Sequence, residues 1–275
     1  MLNAILMVAF FSPPSSMTVY GGTIIVMQKD DDRFIVVADS RSSNDTGTSY
    51  WDDACKVIGL GHKMFFFATG KTTLTRTDGK TVFDVNEVVK RGFNDFNRLP
   101  NDENRLYLVS FYSALFLKAL YQDVSAQWPG PMADGVINGN SVKAIFGGAT
   151  DDGALIAYLV NINMEPTKAS VPPISFTVEK WNAPHPINIF GSREKDGVTE
   201  FWAKETERAK LANADLDSQF ARNKDADREL LRIKAAVQAA VDWAQNKNMV
   251  GGPLDILELR KGQSIHWIQA KPSCK

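Results

Sequence analysis

Gly22-Thr23-Ile24-Ile25-Val26-Met27-Gln28, then Asp30-Asp31-Asp32, then Phe34-Ile35-Val36-Val37-Ala38-Asp39-Ser40-Arg41 is the stretch on which the fold turns. Two apolar, β-branched runs around an acidic turn predict a β-hairpin. Its first strand opens on a hydroxyl residue, Thr23, and its second ends on a carboxylate, Asp39, sixteen positions later. A threonine there gains a chemistry if the chain is cut just before it. The freed α-amine can take the hydroxyl proton, so one residue carries both nucleophile and base.

Beyond the hairpin, residues 55–60 and 63–68 predict two strands around the Gly61-His62 turn, with Gly70 closing the second. Residues 84–97 place Val85, Val88, Val89 and Phe93 at helical spacing. Residues 103–124 place Leu108, Tyr112, Leu115, Phe116, Ala119 and Leu120 on one stripe. Residues 142–148 and 154–162 flank the turn Asp151-Asp152-Gly153, and shorter strands are predicted at 175–178 and 187–190. From 199 to 246 the pattern is helical, read as two helices parted near Asn223-Lys224-Asp225. The second carries Leu230, Ile233, Val237, Val241 and Ala244. Strands at 254–259 and 264–269 finish the order. Blocks of strands alternating with blocks of helices predict an antiparallel α+β architecture. Two packed sheets with helix pairs on both outer faces accommodate every segment. No linker splits residues 18–270, so residues 23–275 read as one domain behind a leader at 1–22.

A formal net charge of -1 gives no electrostatic case for nucleic acid or an anionic membrane as partner. His62, His185 and His266 lack metal-ligand spacing, so no metal site is predicted. Cys55 and Cys274 are too few for a disulfide framework, and sequence leaves their pairing open. Residues 2–11 are apolar apart from Asn3 and are followed by Ser12-Pro13-Pro14-Ser15-Ser16. That run is too short to span a bilayer, which takes about 20 residues, so no stable membrane insertion is expected. If residues 1–16 are a signal peptide the protein is secreted or periplasmic, and otherwise cytoplasmic. The competing readings are an N-terminal strand, or a leader upstream of a start at Met17. Gly70-Lys71-Thr72 lacks the glycine of a phosphate-binding loop, which position 65 fills with Phe.

Gly22-Thr23, Val37-Ala38-Asp39-Ser40-Arg41, Lys56-Val57 and Ala68-Thr69-Gly70, in this order and spacing, resemble the N-terminal third of proteasome β-type subunits. Those are N-terminal nucleophile (Ntn) hydrolases. Gly191-Ser192 and Gly251-Gly252-Pro253-Leu254-Asp255-Ile256 extend the resemblance over most of residues 20–260. It implies a four-layer αββα sandwich and autocatalytic cleavage between Gly22 and Thr23. It implies Thr23 as nucleophile and α-amine base, with Asp39, Lys56 and Ser192 as catalytic partners and Gly70 as oxyanion donor. A peptide or small amide is the implied substrate, no cofactor is implied, and a homo-oligomer is in keeping with the family's rings.

The chemistry has a physical logic of its own. A free α-amine titrates near ~7.7–8.0 and is available as a base at working pH. A Lys56 ammonium nearby lowers that value and stabilises negative charge on oxygen, while Asp39 keeps the ammonium charged. Each residue also has a plainer reading: Thr23 beginning a strand, Asp39 capping a turn, Lys56 solvated on an edge strand, Gly70 in a turn. The family's supporting aspartate and serine before the Gly251-Gly252 pair are Lys247 and Val250 here, and Arg193 stands where a glycine is usual. A non-catalytic structural or assembly subunit is therefore the alternative. A secreted binding protein is a third, more distant class.

Overall fold

The computed structural model describes residues 17–21, 23–44, 48–76, 80–127, 140–164, 173–182, 187–191, 195–244 and 248–274. The opening hairpin is β2 (Ile24–Lys29) with β3 (Arg33–Ala38), antiparallel, Met27 opposite Val36. The Asp30 N–H donates to the Arg33 carbonyl at 2.9 Å and closes the turn. Side chains alternate across a strand. Ile24, Val26, Ile35 and Val37 accordingly enter one buried cluster, and Ile25, Met27, Phe34, Val36 and Ala38 another. Both faces of the hairpin are covered. That is why its strands are apolar at consecutive positions instead of every second one.

The architecture is α+β, with antiparallel, open sheets and five α-helices among the described residues. One sheet runs β13 (Ile187–Gly191), β2, β3, β14 (Asp255–Arg260), β15 (His266–Gln269). A second runs β12 (Ile174–Lys180), β11 (Leu155–Met164), β10 (Asn140–Ala149), β7 (Met64–Gly70), β6 (Val57–Leu60). Ile25, Met27, Phe34 and Val36 of the first sheet meet Phe65, Phe67 and Ile145 of the second in a shared core. Phe66 points the other way, against α1 (Val85–Asp95) and α2 (Glu103–Gln127). On its far side, the first sheet is covered by α3 (Lys195–Ala203), α4 (Glu207–Arg222) and α5 (Arg228–Trp243).

Three expectations change. Two sheets were expected, and there is a third: β5 (Tyr50–Trp51), β4 (Ser42–Asn44), β1 (Met17–Gly21), β8 (Thr73–Arg76), β9 (Thr81–Asp84). Its strands have two to five residues, too few for a periodicity to register. Its middle strand, β1, comes from the segment read as leader. Residues 199–246 were expected as two helices, but the helical region holds three. Lys204 breaks it at φ 56, and the Thr206 side chain then caps α4 by accepting the Ala209 N–H. The third change concerns α2, where the middle of the expected inner stripe is turned outward: Tyr112, Leu115 and Phe116 are 38%, 40% and 49% exposed, while Leu120 packs against the core. The face that packs on the sheet is Leu106, Val109, Ala114, Leu117, Tyr121 and Val124. This helix is apolar on more than one side, so spacing had two stripes to choose from.

Candidate active site

Thr23 immediately precedes β2 and is 2% exposed in the intact chain. Asp39 immediately follows β3 and is fully buried. The hairpin register brings the two together: Ile25 pairs with Ala38, and the Asp39 N–H donates to the carbonyl of Ile24, the residue after Thr23, at 3.1 Å. The Thr23 Oγ1 hydroxyl donates to Asp39 Oδ1 at 3.2 Å, and the Ile24 N–H donates to the same oxygen at 2.9 Å. The Gly251 N–H donates to Asp39 Oδ2 at 3.1 Å. The Gly251 carbonyl in turn accepts the N–H groups of Ser40 and Arg41, each at 3.0 Å. Asp39 is thus a buried hub that ties both ends of the hairpin to the approach to β14. Burial pushes its carboxyl above the usual range, opposed by the Lys56 ammonium and by these donors.

Lys56 stands just before β6 and is 7% exposed, so the edge-strand, solvated reading of it does not hold. Burial, against the pull of Asp39 and with a smaller push from the charge of Lys271, lowers its ammonium to about 8. A buried ammonium that titrates there changes charge within a working pH range.

Gly191 ends β13 opposite Ile24, at φ 134. A Cβ at Gly191 would overlap the Thr23 carbonyl oxygen, so only glycine lets β13 approach the Thr23–Ile24 peptide. Gly70 ends β7 at φ 99, in register with Val142. The hydrogen bonds joining Thr23, Asp39 and Gly251 do not include it. Gly22, Ser192, Arg193 and Lys247 lie outside the described residues. Val250 is core, 1% exposed among the residues that cover the first sheet.

A cavity of about 230 Å³ opens beside Lys56, lined also by Ser42, Ala68, Thr73, Asp53 and Asp84. It lies between β4, β7, β8 and the N-terminus of α1. Asp84 is the N-cap of that helix and accepts the Asn86 N–H at 2.7 Å. The chain matches no protein-family model and no curated protein.

Sequence reasoning missed the surroundings of Lys56. Cys55 and Cys274 form a disulfide, with Cα atoms 5.3 Å apart. Asp255, 1% exposed, accepts Lys271 Nζ at 2.7 Å. The available signal was a carboxylate inside the apolar run Leu254-Asp255-Ile256-Leu257, since a buried charge needs a partner. Among the described residues no group of three or more His, Cys, Asp or Glu is arranged to hold a metal ion, and no helix is long and apolar enough to cross a membrane.

Proposed function

We propose that the protein is an Ntn-type amide hydrolase with the four-layer αββα sandwich of proteasome β-type subunits, activated by cleavage between Gly22 and Thr23. The observation that carries this reading is the Thr23 hydroxyl donating to a fully buried Asp39 at the head of the hairpin, beside a buried Lys56. The order of the three cores, helices on sheet, sheet on sheet, sheet on helices, supports the layered fold.

In the uncut chain the acceptor of the Thr23 proton is Asp39. Burial raises the affinity of Asp39 for a proton, which suits a base for the self-cleavage step. The Thr23 oxygen attacks the Gly22 carbonyl, the Gly22–Thr23 amide gives way to an ester, and water splits that ester. The mature Thr23 then uses its own α-amine. The hydroxyl proton passes to the amine, a carbon–oxygen bond forms with the substrate carbonyl, and the leaving amine departs with that proton. Water hydrolyses the resulting acyl-threonine. Lys56 stabilises the negative charge that develops, and the Gly70 N–H serves as oxyanion donor, a contribution worth about 2.7–4 kcal/mol in other hydrolases.

β1 adds a route for substrate. It pairs with β4 (Tyr20 opposite Asn44) and with β8 (Val19 opposite Leu74). Once cut from Thr23, β1 is held by strand pairing without a covalent tie. Its departure leaves two strand edges between which an extended peptide can add, above the cavity beside Lys56. The Cys55–Cys274 disulfide supports an oxidising compartment.

The second reading, a non-catalytic structural or assembly subunit, is favoured by Val250 being core and by Lys247 in place of the family's aspartate. Intact mass and N-terminal sequencing of the purified protein separate the two. The hydrolase begins at Thr23, and Thr23→Ala leaves the chain uncut and blocks labelling by electrophiles that capture N-terminal threonine. A wild-type chain that retains residues 17–22 in a preparation that cleaves peptides sinks the mechanism.

A further inference from the structure

The last described residues converge on the two positions ahead of Lys56. Lys271 Nζ donates to the Ala54 carbonyl at 2.9 Å as well as to Asp255 Oδ2. The Lys271 N–H reaches Asp255 Oδ1 at 3.4 Å. Cys274, whose N–H donates to the Lys271 carbonyl at 3.0 Å, is bonded to Cys55. From α1, Asn86 Nδ2 donates to the Cys55 carbonyl at 2.8 Å. Backbone hydrogen bonds and a covalent link therefore fix residues 54 and 55, and with them the start of Lys56.

This clamp is charged where a plain staple would not need to be. Asp255 opens β14 opposite Ala38, next to Asp39, so two carboxylates and two ammoniums share one buried region. The Lys271 side chain is only 10% exposed. A buried ion pair is an inefficient source of stability, since well-packed apolar replacements are often neutral or stabilising. What the pair supplies that apolar side chains cannot is a field at Lys56. The charged groups that act most on Lys56 are Asp39 from the end of β3, Asp255 from β14 and Lys271 from the C-terminal segment; Asp53, the α1 N-cap Asp84, and Glu87 and Lys90 of α1 line the cavity beside it. Asp255 favours the charge on Lys56 and Lys271 opposes it.

We propose that Lys271 and Asp255 are positioning residues for Lys56: they hold its backbone in place and set how readily it carries charge beside Asp39. The proposal rests on Lys56 acting as the cation of the hydrolase site. On that basis a mature enzyme loses kcat/KM at alkaline pH as Lys56 deprotonates.

The test uses full-length processed protein with ¹⁵N-labelled lysine. The Lys56 ammonium is followed by NMR, assigned by its loss in Lys56→Arg, and kcat/KM on a peptide amide is measured against pH. Lys271→Met moves both the Lys56 midpoint and the alkaline limb to higher pH, by about half a unit to one unit for a charge several ångströms away. Asp255→Asn moves both to lower pH. Lys271→Arg keeps them near the wild-type values. If a single variant folds poorly, the uncharged pair Asp255→Leu with Lys271→Met keeps the site testable, with a midpoint between those of the two single variants. Opposite shifts are the signature that a merely structural clamp does not give. Variants that melt earlier while Lys56 and the limb stay within 0.2 units of wild type, an interval of about 0.3 kcal/mol, overturn the proposal. Opposite NMR shifts in a protein that never exposes Thr23 and cleaves no peptide overturn the hydrolase reading and leave the coupling standing.

Discussion

Thr23 and Asp39 were legible as residues because their separation and strand-end places are sequence properties, and the hairpin register then made them neighbours. The neighbour that spacing could not rank is Gly191. It was read as half of a Gly-Ser pair, yet its own lack of a side chain is what admits the Thr23 peptide. Gly191→Ala must push β13 away from Thr23 and strain a positive-φ backbone, at an expected cost of about 1–3 kcal/mol. Urea unfolding should show that loss, and under the proposed self-cleavage intact mass should show slower removal of residues 1–22. Lys56 behaves differently from a surface lysine. Its folded value lies below the ordinary 10.5, so the unfolded chain binds more protons between about 8 and 10.5. Its contribution to stability therefore rises with pH across that window and is lost as pH falls toward about 8. Urea titrations of wild type and Lys56→Met at pH 8 and pH 10 should give a gap between the two that changes in that sense.

Elements differed in how far their sequences committed them. The β2–β3 and β10–β11 hairpins follow directly from apolar runs around acidic turns. α5 buries Ile233 and Val237 as its spacing predicts, and extends the contact to Ala236 and Ala240. The orientation of α2 was not decided by its sequence, because residues 106–124 offer apolar side chains in several directions. Its stability effects test the observed face. Leu117→Ala, in the core, should cost about 2–5 kcal/mol, whereas Phe116→Glu, half exposed, should stay within about 0.5 kcal/mol. A larger loss for Phe116→Glu than for Leu117→Ala in thermal melts would place the helix the other way round. The same element-scale limit hid the third sheet. Two-residue β5 and three-residue β4 have no period of their own; β4 forms against β1, and β5 against β4.

At the scale of the whole molecule, the disulfide joins positions 219 residues apart and ties the C-terminal segment to the strand region that carries Lys56. Removing it as Cys55→Ser with Cys274→Ser should cost about 2–5 kcal/mol. In a chain of this size that corresponds to a fall of roughly 5–20 °C in Tm, checked by melts with and without a dithiol reductant. The wild type should lose stability on reduction and the double variant should not respond. Thiol counting in denaturant without reductant should find no free cysteine among the two. Lys271 should lose part of its hold on Ala54 in the same variant, which links this prediction to the one on Lys56.

The sequence by itself determined the alternation of strand and helix blocks, the opening hairpin, and the meeting of Thr23 with Asp39. These depend on local periodicity and on a register that a tight turn enforces. Tertiary structure alone decided which face of α2 is inside, where β1 inserts, that Cys55 meets Cys274, and that Asp255 and Lys271 stand beside Lys56. Each of those joins segments far apart in the chain, and a contact of that kind leaves no period in either segment. It is fixed only when the sheets pack and a buried charge or an open strand edge must find its complement.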